Sequence, residues 1–263
     1  MWPVKFNKLR TVYTITGKTD GFGSQYLAIM SGIAICKYKN YDYLHTPIKK
    51  LEHNENVDEM NKFIGIKNIK NTDNTKNNKN NRVVLIKNEI CFEVMFSQNP
   101  SIYYRQEVID VIKNFYYSNS KPIIEDIDIA IHIRRGDVYK NSKMGPLFVR
   151  ETKGWRGNID RFIDDKFYID IIDKLLIKYP TYIIHIYSEG KVEDFSIKED
   201  TRIKFHLNEN LITTYHSFVR AKVLVMARSC LSYSAGILNE NEVYYIDFWH
   251  KKLDHWLNIK ELN

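Results

Sequence analysis

The chain has 263 residues, 44% of them hydrophobic, enough for one large domain or two of roughly 100–150 residues without disulfide or metal staples. Its net charge of +7 and pI near 9.0 suit anionic partners, a nucleotide diphosphate or a nucleic acid, but lysines scattered among asparagine and isoleucine single out no surface. Cys36, Cys91 and Cys230 form no C-x-x-C pair and have no histidines at zinc spacing, which excludes a sequence-evident zinc module and predicts free, buried or semi-buried thiols.

The first sixteen residues hold no apolar run of signal-peptide length, and no stretch approaches the length needed to span a bilayer, so a cytoplasmic location is expected. TVYTIT (11–16) reads as a strand, GKTDGFGSQ (17–25) as a glycine-bearing turn, and Ser24 to Tyr38 as a helix with Tyr26, Ile29, Met30, Ile33 and Cys36 on one side. YDYLHT (41–46) reads as the next strand, completing a strand-turn-helix-strand unit of an α/β sheet. Residues 67–81, KNIKNTDNTKNNKNN, are polar and low in complexity, and predict an exposed or disordered insert. RVVLIK (82–87) predicts a strand and residues 101–117 a helix.

The second half alternates more regularly. Residues 122–133 end in a β-branched run typical of a parallel strand buried on both faces. A helix over 164–180, strands over 181–188 and 202–207, a helix over 211–221, a strand over 222–227, a helix within 229–238 and a strand over 242–248 follow. The pattern predicts a doubly wound parallel sheet. The boundary is placed near Lys121: residues 1–120 form an acceptor-side α/β domain carrying the insert, and residues 121–263 a Rossmann-like donor-binding domain.

In such sheets ligands bind just beyond the carboxyl ends of the strands. Four segments fall there. In the first, Ile127, Ile129, Ile131 and Ile133 share one strand face, while His132 and Arg134 share the other. Arg134 and Arg135 at the mouth of a buried strand are costly unless an anion meets them, and a guanidinium fork matches phosphate oxygens. Ion pairing with Asp137 or Glu189 is the alternative use of the same arginines. The Arg-Gly-Asp tripeptide within this segment is read as coincidental. In the second, Ser188-Glu189-Gly190, a carboxylate suits the N1–H and exocyclic amine of guanine; a surface turn is the alternative. In the third, residues 229–236, Ser232, Tyr233 and Ser234 open a helix where backbone N–H groups suit phosphate, or where serine simply caps. In the fourth, Gly21-Phe22-Gly23-Ser24-Gln25 follows a strand but lacks the third glycine of the dinucleotide fingerprint, which argues against NAD.

These pieces, in this order, resemble the fucosyltransferase superfamily of α-1,2-, α-1,6- and protein O-fucosyltransferases. The resemblance rests on Gly21-Phe22-Gly23-Ser24-Gln25, on the H-x-R-R-G-D element His132-Ile133-Arg134-Arg135-Gly136-Asp137, on Ser188-Glu189-Gly190 and on Ser232-Tyr233-Ser234. It departs from the family at Glu189 and Gly190, where Ser-Asp-Asp is usual, and at Ala235 and Gly236, where tryptophans often follow. It implies a GT-B fold, two Rossmann-like domains facing a cleft, and inverting transfer of fucose from GDP-fucose to a glycan hydroxyl, with no metal site and no cofactor beyond the donor. It places Arg134 on the donor β-phosphate, His132 and Glu189 at the nucleoside, and Ser232 and Ser234 at the diphosphate. Asp137 is the candidate base, with Glu52, His45 and His53 as alternatives. Other readings are a related transferase with another donor sugar, a sugar-binding descendant without turnover, and a basic nucleic-acid-binding protein; dispersed tyrosines disfavour the last.

Overall fold

The computed structural model describes residues 10–15, 18–52, 56–66, 81–86, 88–136, 138 and 161–263, with backbone alone at 10–12, 81–86 and 88–90. Most of the insert 67–81 lies outside the described residues, as do His53 and Asp137. The fold is α/β with parallel sheets, and the chain divides into two compact units. One comprises Met1–Lys121 with Trp249–Leu253, the other Pro122–Phe248 with Asp254–Asn263.

In the first unit, β1 (Arg10–Ile15) lies between β2 (Asp42–Tyr43) and β3 (Asn81–Ile86), all parallel. β2 is shorter than the 41–46 expected. After Leu44 N donates to Tyr13 O at 2.8 Å the ladder stops, and Pro47 soon follows with no N–H to give. Helix α1 (Phe22–Tyr38) starts inside the segment read as a turn: Gly21 is its extended N-cap, which puts Gly23 and Gln25 in the helix. Nearly every residue from Phe22 to Cys36 is buried, so α1 is a core helix packed on α3 (Asn88–Met95) and α4 (Gln106–Tyr116). The sequence reading missed α3, and also α2 (Val57–Ile64), whose N-cap Asn56 accepts from Asp58 N and Glu59 N. Gly65 ends α2 at φ 72°, a conformation glycine adopts without strain. Trp249–Leu253 returns to this unit: His250, 1% exposed, bonds Met95 O through Nδ1 at 2.6 Å. Cys36 and Cys91 are buried, and burial pushes both thiols up to about 12; Cys230 is half-buried, and none of the three is in a disulfide.

In the second unit the strands are β4 (Ile129–His132), β5 (Ile184–Ser188), β6 (Ile203–Leu207), β7 (Val223–Val225), β8 (Glu242–Tyr245) and β9 (Leu257–Asn258). They form a parallel sheet in the order β6-β5-β4-β7-β8-β9. Counted from β4, this is 3-2-1-4-5-6, the doubly wound order of dinucleotide-binding sheets. Ile129, Ile131, Ile133, Ile184 and Ile186 join Ile171, Ile172 and Leu175 of α5 (Asp165–Lys178) in one core. The opposite face holds His132, whose ring lies 5.1 Å from Phe218 of α6 (Leu211–Arg220), and α6 packs on α7 (Cys230–Leu238). No described helix is long and apolar enough to cross a membrane.

Candidate functional site

The strand order creates one topological switch point, between β4 and β7. The chain winds outward from β4 through β5 to β6, then crosses back to place β7 on β4's other side. In sheets of this order the loops leaving the two central strands part in opposite directions, and ligands bind in the crevice between them. His132 to Gly136 leaves β4 there, and Ala227 to Ser229 leads from β7 into α7. The two meet through a bond of 2.9 Å between His132 Nδ1 and Ser232 Oγ. Burial, with the Arg134 guanidinium close by, pushes His132 down to about 3, so its ring is neutral at ordinary pH.

Neighbouring loops are fixed around this point. Ser188 Oγ donates to Ile133 O at 2.7 Å, tying the end of β5 to β4. Gly190 N donates to Asn208 Oδ1 at 3.0 Å, and Asn208 Nδ2 returns a bond of 2.8 Å to Gly190 O. Gly136 has φ 66°, and a Cβ there would overlap the Glu189 carboxylate. Glu189 itself is exposed.

The predicted residues divide when their side chains are followed. Arg135 faces away from His132, into the α5 side of the sheet, and is 3% exposed. Its guanidinium pairs with Asp165, donates to Arg134 O and Ile163 O at 3.1 Å each, and lies 4.8 Å from the Phe162 ring centroid. Arg135, expected at the donor, is thus engaged in an ion pair with Asp165. Ser232 and Ser234, expected at the diphosphate, are buried and bonded within the chain. Ser232 Oγ, fully buried, meets His132 and accepts from Ala227 N at 3.1 Å; Ser234 Oγ donates to Leu231 O at 3.0 Å. Tyr233 is 4% exposed and packs edge-on against Trp256. What the serine segment offers a ligand is the N-terminal end of α7, with Ser229 as its cap.

Gly21, Gly23 and Gln25 lie in the first unit. Gln25 Nε2 donates to Asp20 O at 2.5 Å and Lys50 O at 2.7 Å, so the side chain ties two loops together. The tie lines a cavity of about 400 Å³ at the end of β1, bordered also by Ile29, Thr46, Lys18, Lys49 and Lys50. The sequence reading missed these three lysines, Lys18 alone and Lys49-Lys50 as a pair, which follow no motif. Of the alternative bases, Glu52 is exposed. His45 is 2% exposed and burial pushes it down to about 4.

No family model matches the chain, and no curated protein matches its sequence. Among solved structures the chain is similar to POFUT1 in complex with GDP, with a TM-score of 0.41 and 10% identity over 95% of this chain and 98% of that one. POFUT1 in complex with GDP-fucose gives a TM-score of 0.43 and 10% identity over 95% and 97%. The E. coli heptosyltransferase WaaC with ADP-2-deoxy-2-fluoro heptose gives 0.41 and 9% over 94% and 92%. These likenesses assign no residue.

Proposed function

We propose that the protein is a glycosyltransferase that holds a nucleoside-diphosphate sugar above the ends of β4, β5 and β7. The observation that carries this reading is the meeting of His132, Arg134 and the start of α7 at the switch point of a 3-2-1-4-5-6 sheet. The donor is GDP-fucose and the acceptor a glycan hydroxyl, as the sequence resemblance implies. Departure of GDP develops negative charge on the β-phosphate; Arg134 and the positive end of α7 stabilise it from fixed positions, without a metal ion. His132 is a positioning residue that holds Ser232, and through it α7, against β4. Glu189 accepts the guanine N1–H and amine. Arg135 anchors the loop through Asp165 and takes no phosphate. The lysine-bordered cavity of the first unit receives the acceptor. Asp137 is the proposed base: it follows Gly136 directly, whereas His45 is sealed from solvent.

Thermal shift with GDP, UDP and CDP and their sugar conjugates tests this. GDP and GDP-fucose raise the melting temperature equally with and without EDTA, by about 2–4 °C for each kcal/mol of linked binding. Arg134→Ala abolishes the shift. A shift with UDP alone replaces the guanine assignment by another donor. No shift with any nucleotide overturns the transferase reading.

A further inference from the structure

At the outer edge of the second unit's sheet, three side chains from separate segments converge. His185 is on β5, His206 on the edge strand β6, and Glu125 in the segment entering β4. One ligand atom from each lies within 4.8 Å of the others. His185 Nδ1 is 2.9 Å from His206 Nε2 and 3.7 Å from Glu125 Oε1. The geometry points to a divalent-metal site of the zinc class, built from two imidazoles and one carboxylate, with water completing the tetrahedron.

Two features support this beyond the cluster itself. His206 Nδ1 lies 2.7 Å from Glu209 Oε1, so an outer carboxylate orients the ring and fixes which nitrogen turns inward. Such a partner is the usual support of a metal-bound histidine. The imidazoles also sit on adjacent paired strands and are flanked by rings. His185 and His206 stack with centroids 5.1 Å apart, and His206 stacks on Tyr187 at 4.5 Å, so both donors are held in place before any ion arrives.

The hydrogen-bond count is consistent with the same use. With Glu209 on Nδ1, a single proton lies between His206 Nε2 and His185 Nδ1, whichever ring formally carries it. A metal ion takes the place of that proton, which leaves to solvent, and both nitrogen lone pairs then point at the ion. Tetrahedral bonds of about 2.0–2.1 Å require the nitrogens to open to ~3.3 Å, a small movement for an edge strand. Lys204 Nζ holds the other carboxylate oxygen, Glu125 Oε2, at 3.1 Å; it is half exposed and yields to the ion. Oxygen-seeking ions such as Mg²⁺ are poorly matched to two nitrogens. Bound metal would clamp β6 to β5 and to the approach to β4, a structural role separate from the proposed transfer chemistry.

The test titrates the whole metal-stripped protein with Zn²⁺ by calorimetry, and with Co²⁺ by visible absorption. One ion per chain is expected, with the intense spectrum of tetrahedral Co²⁺. Glu125→Gln and Glu209→Gln, both at partly exposed positions, each weaken Zn²⁺ binding by about 10–100-fold while leaving circular dichroism unchanged. His206→Ala abolishes the Co²⁺ spectrum. Unchanged affinity in both glutamine variants overturns the site, as does Mg²⁺ binding equal to Zn²⁺, or the absence of any Zn²⁺ heat. The GDP-induced thermal shift in EDTA is unaffected by these variants, so failure here and failure of the transferase reading are told apart.

Discussion

Arg135 is held by a carboxylate, two carbonyls and the Phe162 ring, all supplied by the folded chain. Removing it leaves Asp165, 16% exposed, with its backbone donor Ser196 N but without its cation. Arg135→Ala should therefore cost about 3–5 kcal/mol, as breaking a buried pair does, read as a lowered urea midpoint. The placement of Arg135 was legible in part. The odd-numbered isoleucines mark the core face, and Arg135 continues that series, whereas Arg134 follows His132. Asp165, thirty positions on, follows no spacing rule that links it to Arg135. His132 gives a second test. Its folded-state pKa is pushed down to about 3 from 6.5, so the unfolded chain takes the proton first. Its contribution to stability is complete above about pH 6.5 and is lost progressively as pH falls toward 3. His132→Asn should flatten the pH dependence by up to ~1.4 kcal/mol per pH unit in that window, measured by urea unfolding from pH 4 to pH 7. His45 shifts in the same direction, so a residual slope remains.

Between β4 and β5 the decisive position is Gly136. Its φ of 66° is open to glycine, and its Cα passes against the Glu189 carboxylate. Gly136→Ala should cost about 1–2 kcal/mol from backbone strain, plus the displacement of Glu189. Glu189→Ala in the same chain should recover the displacement but not the strain, and a double-mutant cycle of unfolding free energies separates the two. At this scale the sequence showed strands and helices of the second unit well, because buried parallel strands and amphipathic helices carry strong periodic signals. Three departures have physical causes. Gly21 serves as an N-cap in ordinary extended backbone, so a glycine pair that looked like a turn instead starts a helix. Helix α2 is only eight residues long, too short for its period to stand out, although Asn56, Asp58 and Glu59 at its start and Gly65 at its end are the usual signals. Strand β9 has two residues, Leu257–Asn258, and exists by pairing with β8 rather than by propensity.

For the whole chain, the alternation of strands and helices was readable, but the order in which strands pair was not. Each buried strand is apolar on both faces, so composition cannot say which neighbour it takes; the crossover that sets β7 beside β4 does, and it brings residues 132 and 232 together. The lysine-bordered cavity and the His185–His206–Glu125 cluster were invisible for the same reason: their members come from segments that share no spacing. The switch point also makes a prediction that separates the functional readings. A diphosphate gripped at the strand ends should slow amide exchange in residues 131–136, 188–190 and 227–233 on adding GDP, because those loops share one crevice and local opening exposes them together. Strand β6, two strands from the switch point, should exchange at an unchanged rate. A basic surface that merely attracts anions predicts a different map. Protection would then be weak, spread over lysine-bearing segments of both units, and erased by raising salt through the range where exposed charges are screened. Hydrogen-exchange mass spectrometry with GDP at low and high salt reads both outcomes. Protection confined to the three loops and surviving in salt supports donor binding at the switch point; diffuse, salt-labile protection assigns the charge to a nonspecific role.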